Sequence, residues 1–292
     1  MADRRASTGE WASALGARAL LALFGLLPLE RASRLGGWLA RRLGPLTSVH
    51  RIADRQMSLA LPEMNVDARR RCLAGMWDNL GRVLAELSHL SDIRLGENLE
   101  VVGDEHLDIV RTSGRPAIFI SAHYGNWELV SHAAALLSAP LVLVYRAANN
   151  PLVEDLLQSI RSRPNLEHVP KGVRAARALL QALQTNRSLG ILVDQKLNSG
   201  IAVPFFGHDA MTAPAPAELA LRSNSPIIPI RVERLHGTQF RISIEAPIIL
   251  VSTGDRDKDV LNGLLRINAV LERWIRERPD HWFWVHKRWP RH

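Results

Sequence analysis

The chain carries one cysteine, Cys72, in 292 residues, which excludes a disulfide framework and any cysteine-rich metal site. Its helix-like surroundings read as those of a small buried hydrophobe, away from the segments where chemistry collects. Nucleotide signatures are missing as well. Neither G-x-x-x-x-G-K-[ST] nor G-x-G-x-x-G occurs, so no nucleotide cofactor is expected. The absence of a G-x-S-x-G elbow disfavours a serine hydrolase of that kind. There is no H-E-x-x-H and no other histidine pair at ligand spacing, so the expected metal site is none. No repeat, low-complexity linker or recognisable nucleic-acid module is present, and no nucleic-acid partner is expected. Lysine is scarce. The formal net charge of +8 is carried almost wholly by arginine, which suits acidic partners such as lipid headgroups, phosphorylated substrates or an acidic carrier protein.

What is there is enough to fold. A hydrophobic fraction of 47% is incompatible with dominant disorder, and the length fits one α/β domain with an N-terminal extension. That extension reads "WASALGARALLALFGLLPL" over 11–29. Arg18 leaves an uninterrupted apolar run shorter than the ~20 residues that cross a bilayer. No small-residue cleavage site follows, which speaks against a removed signal peptide. A membrane-seated helix anchored by Trp11 and Arg4, Arg5, Arg18 and Arg31 fits. So does a helix packed on its own domain.

Residues 10–90 show apolar residues at helical spacing. From about residue 99 the texture changes, with "LEVVG" reading as a strand and "DEHLDIVRTSG" as a helix stopping at Gly114. Short apolar runs then alternate with helical stretches: "AIFIS" (117–121), "LVLVY" (141–145), "LEHV" (166–169) and "LGILV" (189–193). The predicted helices between them cover about 127–138, 149–161 and 173–185. Continuous apolar strands alternating with helices predict an α/β fold with a largely parallel central sheet flanked by helices. Two paired strands around Gly237, a long helix over 255–277 and a buried strand at "WFWV" (282–285) are expected to follow.

In such sheets ligands sit beyond the carboxyl ends of the strands. The four runs end on His123, on Tyr145 and Arg146, near Lys171, and on Asp194-Gln195-Lys196. His123 is followed by Asn126, a plausible N-cap, and by Glu128 in the first helical turn, where the helix dipole favours a carboxylate. A chain turning at Gly125 brings Glu128 back to the imidazole, fixing its tautomer and leaving a general base. A histidine that merely ends a strand, beside a solvated acid, matches the same spacing. With no covalent nucleophile or metal available, the chemistry that remains is direct transfer. A substrate hydroxyl is deprotonated by His123 and attacks an activated carbonyl.

The segments "SAHYGNWE" (121–128), "VYRAANNP" (144–151), "VPKG" (169–172), "LVDQKLNSGIAVPFFG" (192–207), "AMTAPAPAELALRSNSPIIPIRVER" (210–234) and "WFWVHKRWP" (282–290) resemble, in order, the late acyltransferases of lipid A biosynthesis. These form a branch of the glycerolipid-type H-x-x-x-x-[DE] acyltransferases, and the resemblance spans roughly residues 10–290. It implies a glycerolipid acyltransferase-like fold with a helical, membrane-associated N-terminal portion (1–45) before the α/β domain (46–292). It implies transfer of a fatty acyl chain from acyl carrier protein to a hydroxyl of a lipid A precursor, at the cytoplasmic face of the inner membrane, without cofactor. His123 is then the base and Glu128 its orienting acid, with Arg146, Asp194, Lys171 and Asn126 as substrate-binding candidates. Arg174, Arg177, Arg222 and Arg231 are candidates for gripping phosphate. "PFFG" (204–207) lines an acyl pocket or packs in the core, and the tryptophans at 274–289 form an interfacial belt or core. Another lipid acceptor, such as a glycerophospholipid, ornithine lipid or mannosylated inositol lipid, is the first alternative. A non-catalytic basic lipid-binding protein is the second.

Overall fold

The computed structural model describes residues 7–136, 140–145, 147–163, 165–170 and 173–289. Four helices come first: α1 (Thr8–Gly25), α2 (Leu29–Leu43), α3 (Ser48–Ala60) and α4 (Val66–Glu86). The Ser7 hydroxyl accepts the Glu10 amide and the Glu10 carboxylate takes the Ser7 amide, a reciprocal cap that starts α1. Asn65 caps α4 through the Ala68 amide at 2.8 Å. The body then runs β1 (Leu99–Val102), α5 (Asp108–Ser113), β2 (Ile118–Ser121), α6 (Glu128–Leu136), β3 (Leu141–Tyr145), α7 (Pro151–Arg161), β4 (Leu166–Pro170), α8 (Val173–Gln184) and β5 (Ser188–Leu192). A hairpin of β6 (Ile201–Phe205) and β7 (His208–Thr212) follows, then α9 (Ala215–Ser223), β8 (Ile227–His236), β9 (Gln239–Ile244) and α10 (Arg256–Glu277).

Seven strands form one sheet in the order β1-β9-β8-β2-β5-β3-β4. Every pairing is parallel except β8 with β9, which turn on each other at Gly237. The expected alternation of apolar strands and helices is thus realised as a largely parallel α/β sheet. Successive side chains of β2 go to opposite faces. Ile118 and Ile120 enter a core built with α3, α4, α8, α9 and α10, while Phe119 packs toward α6 and α7 on the other side.

The N-terminal helices pack on this body. A Cβ on Gly36 of α2 would lie 2.4 Å from the Gly81 carbonyl oxygen of α4, and one on Gly81 2.1 Å from the Gly36 oxygen. The two backbones therefore touch where both residues lack side chains. Close by, Glu86 at the end of α4 accepts from Ser33 of α2 at 2.6 Å and from both terminal nitrogens of Arg234 in β8 at 2.6 and 2.8 Å. That knot joins α2, α4 and β8. The outer faces of α1 and α2 leave Trp11, Leu15, Leu23, Leu26, Leu35, Trp38 and Leu43 exposed. Among the described residues, no helix is long and apolar enough to cross a membrane.

One expectation is corrected here, and two open alternatives are decided. "WFWV" is not a strand: after the turn at Pro279–His281 the segment makes only a single bridge, Trp282 to Tyr124, and then turns again. Its tryptophans are core, since Trp274, Trp282, Trp284 and Trp289 are all buried, and no interfacial belt forms from them. "PFFG" is the tip of the β6–β7 hairpin, with Phe206 at φ 52 and Gly207 at φ 73. Phe205 stacks on Trp289 at 5.5 Å, and Phe206 lies under the Arg276 guanidinium at 4.8 Å. These contacts hold a bulky residue in the left-handed region it otherwise avoids. The segment packs the core; it lines no part of the cavity described next.

Candidate active site

Parallel pairing places Ser121 of β2 opposite Leu192 of β5. Two residues further on, the same register sets His123 beside Asp194, and their side chains meet. The His123 Nδ1 lies 2.9 Å from Asp194 Oδ1, and the His123 amide donates to Oδ2 at 3.1 Å. The Trp282 indole donates to that same Oδ2 at 2.9 Å. Asp194 is fully buried. Burial alone would raise its pKa, but the His123 charge and hydrogen bond, with His286 and Trp282, outweigh that and hold the carboxyl well below its ordinary value. An ionised acid on Nδ1 keeps the proton there and turns Nε2 outward as a base. Nε2 stands 3.4 Å from the Gln195 side-chain amide. Trp127 and Phe283 flank the ring at 5.3 and 5.9 Å.

The backbone around His123 is pinned. The Gly125 amide donates to the His281 carbonyl at 3.0 Å, the Phe283 amide to the His123 carbonyl at 3.0 Å, and Asn79 to the Gly125 carbonyl at 2.9 Å. Gly125 has φ 57, and a Cβ there would sit 2.0 Å from the Val232 carbonyl oxygen. Only glycine makes this turn against β8.

The expected His123–Glu128 pair does not form. α6 begins at Glu128, and its carboxylate turns toward α7, where Arg161 Nη2 and Nε donate at 2.6 and 2.9 Å and the Trp127 indole donates at 3.1 Å. The acid on the imidazole is instead the lateral neighbour delivered by β5. Asn126 is likewise not at the substrate side. It is fully buried and donates to Glu86 at 2.7 Å, tying the His123 loop to the knot under α2. Arg146 and Lys171 lie outside the described residues, as does the side chain of Arg174. Arg231 is taken up by Glu233 and Glu277, while Arg177 and Arg222 are exposed.

His123, Trp127, Glu128, Arg161 and Gln195 are among the residues lining a cavity of about 360 Å³. Its walls are otherwise mostly apolar, with Phe119, Val130, Leu143, Ile191 and Ile230 among them. Cys72 plays no part: burial, with Asp280, pushes its thiol up to about 12, so no thiolate is available at neutral pH. No group of residues that could hold a metal ion occurs among the described residues.

Residues 2–291 match the family described as bacterial lipid A biosynthesis acyltransferase. The chain belongs to that family. Its activity is acyl transfer. Among characterised proteins, this acyltransferase is similar to the lipid A biosynthesis lauroyltransferase of Escherichia coli, 25% identical over 245 residues, covering 82% of this chain and 78% of the relative. The lipid A biosynthesis palmitoleoyltransferase of the same organism is 22% identical over 245 residues, covering 81% and 77%. A phosphatidylinositol mannoside acyltransferase of Mycolicibacterium smegmatis is 27% identical over 141 residues, covering 47% and 46%.

Three parts of the acyltransferase's site were not read from sequence. Arg161 ends a helix and looks like any solvated arginine. Gln195 was only one of three polar residues ending a strand. Trp282 was assigned to a strand that does not exist. The one signal that points to the Asp194–His123 pair is that both stand two residues beyond an apolar run. It becomes usable once β2 and β5 are known to be neighbours.

Proposed function

We propose that this acyltransferase moves a fatty acyl chain from acyl carrier protein to a hydroxyl of a lipid A precursor, at the cytoplasmic face of the inner membrane. The observation that carries the chemistry is the His123–Asp194 pair beside a mostly apolar cavity. The acceptor hydroxyl gives its proton to His123 Nε2 as its oxygen attacks the thioester carbonyl. Asp194 holds the imidazole's tautomer and stabilises the imidazolium. The tetrahedral oxyanion then collapses, the C–S bond breaks, and the leaving thiolate recovers the proton from the imidazolium. In this reading Gln195, whose amide nitrogen lies 3.4 Å from Nε2, serves as a donor to the developing oxyanion. The apolar cavity takes the acyl chain.

The exposed Trp11, Leu15, Leu23, Leu26, Leu35 and Trp38 support a bilayer seat made of α1 and α2. Asn150, at the start of α7, donates to the Glu10 carbonyl at 2.8 Å and to the Ser13 hydroxyl at 2.7 Å. The seat is thereby fastened to the helix that carries Arg161. The abundance of arginine suits both phosphorylated acceptor and acidic carrier.

The likeness to a phosphatidylinositol mannoside acyltransferase favours one second reading, the same chemistry on a different lipid hydroxyl. A transfer assay separates the two. Labelled acyl-carrier-protein thioesters are offered with a tetra-acylated lipid A precursor and, separately, with a mannosylated phosphatidylinositol and a lysophospholipid. Product on the lipid A precursor alone, lost in His123→Ala, is the expected result. Product only on another acceptor would move the enzyme to that substrate, and turnover by a folded His123→Ala protein would overturn the base.

A further inference from the structure

Behind the main cavity lies a second void of about 70 Å³, lined throughout by apolar residues, among them Val101, Leu107, Ala133, Ala134, Ile242 and Ile244. Phe119, Val130 and Ile230 line both spaces. The two are therefore neighbours separated by one layer of side chains, in which Phe119 is the only ring.

The sheet register shows where this layer stands. Phe119 of β2 is level with Gly190 of β5, which is level with Leu143 of β3 and, through it, with His168 of β4. In a parallel sheet such lateral neighbours point to the same face, so this row is the floor of the main cavity. The side-chain ends of Leu143 and Leu141 fill the space above Gly190, 2.5 and 2.6 Å from where a Cβ would stand. The row nearer the strands' carboxyl ends holds Ser121 and Leu192, next to His123, and the row further away begins with Leu141, which lines the second void. The roof follows the same direction. Along α6, Glu128 and Ser131 face the first space, Val130 faces both, and Ala133 and Ala134 face the second. Moving away from His123, the path is thus the main cavity, then the Phe119 layer, then the void.

We propose that Phe119 sets the length of the acyl chain this enzyme transfers, by closing the far end of the acyl cavity in front of an unused apolar extension. This rests on the reading of the main cavity as the acyl pocket. With the ring in place, the terminal methyl stops at Phe119. With the ring removed, the chain runs on between the sheet and α6 toward Ala134. A void of this size holds about two further methylenes, each close to the volume of one water.

The test is a chain-length ladder of saturated acyl-carrier-protein thioesters, decanoyl to stearoyl, given to the wild type and to Phe119→Ala. Phe119→Leu serves as the milder variant should the alanine protein fail to fold. The optimum should lengthen by at least about two carbons, because the space vacated by the ring adds to that of the void. Relative kcat/KM for a chain two carbons beyond the wild-type optimum should rise about 15-fold, since each buried methylene contributes about fourfold. Adding Ala134→Leu, which refills the void, should return the optimum toward the wild type. A purely structural role for Phe119 would lower rates for every chain alike. An active variant with an unshifted ladder therefore overturns the proposal while leaving the acyl pocket in place. Calorimetric titration of the wild type with the free fatty acids tests the underlying reading separately, and a folded protein that binds none of them overturns both.

Discussion

Asp194 and Glu128 are both buried acids, both take an indole hydrogen bond, and both stand beside the same cavity, yet their basic partners differ in kind. Asp194 holds an imidazole whose second nitrogen can accept a proton, its contact being the Gln195 amide at 3.4 Å. Glu128 holds a guanidinium, which keeps its proton at any working pH and meets both carboxylate oxygens. The first pair can pass a proton and the second cannot. Proximity in sequence favoured Glu128 as the orienting acid, whereas proximity across the sheet delivers Asp194. What decides the role of a buried acid here is the titratability of the base it faces.

The largest effect should come from removing the base. His123→Ala is expected to lower kcat by about 10⁴-fold, with the far-ultraviolet dichroism spectrum unchanged. Asp194→Asn should follow at about 10³–10⁴-fold, because an amide at Nδ1 no longer selects the productive tautomer. Its double variant with His123→Ala should be hardly worse than His123→Ala alone, since the two act as a unit. The comparison breaks if the Asp194 and His123 losses multiply.

Arg161→Met should act on stability. It leaves the buried Glu128 carboxylate without its guanidinium, at a cost of about 3 kcal/mol in chemical denaturation. Glu128→Gln combined with Arg161→Met should recover most of that loss, because no unpaired charge remains. A sharper form of the comparison uses pH. If Glu128→Gln moved the pH profile of kcat/KM as Asp194→Asn does, Glu128 would be acting through His123, and the division between the pairs would fail.

The sequence carried the fold further than the site. Strand-and-helix alternation, helix α10 over nearly its predicted range, and His123 at the sheet's carboxyl edge all follow from local patterning, since apolar period and caps are properties of neighbouring residues. Strand order is not. That β2 lies between β8 and β5 is decided by which crossovers bury most surface, and without it Asp194 is one of several polar strand ends. "WFWV" misled for a related reason. Alternating tryptophans fit a strand, but the turn at Pro279 and His281 lays the segment across the sheet edge, where it cradles Asp194 and His123. Asn126 misled because its side chain caps no helix: its amide is turned to Glu86, 40 positions earlier in the chain, and its side-chain oxygen takes no hydrogen bond among the described residues.

That same C-terminal segment supplies a smaller, measurable contrast with the Asp194 pair. His281 is buried beneath the His123 loop, its carbonyl takes the Gly125 amide, and its Nε2 faces Arg278 Nη2 at 3.1 Å. The guanidinium can only donate, so this imidazole is a neutral acceptor. Burial lowers its pKa to about 4, with Arg278, Arg234 and Arg231 adding to the shift and Asp280 opposing it. The folded value lies below the unfolded one of about 6.5, so between these two values the unfolded chain binds more protons. The stability associated with His281 is complete above about pH 6.5 and is lost as the pH falls toward 4, reaching a loss of about 2 kcal/mol at pH 5. Denaturant midpoints measured across this range for the wild type and for His281→Gln should show it, the glutamine variant being less stable at pH 7.5 but losing less on acidification. Parallel slopes for the two proteins would mean that His281 is already charged in the folded state, and that the Arg278 contact does not hold it neutral.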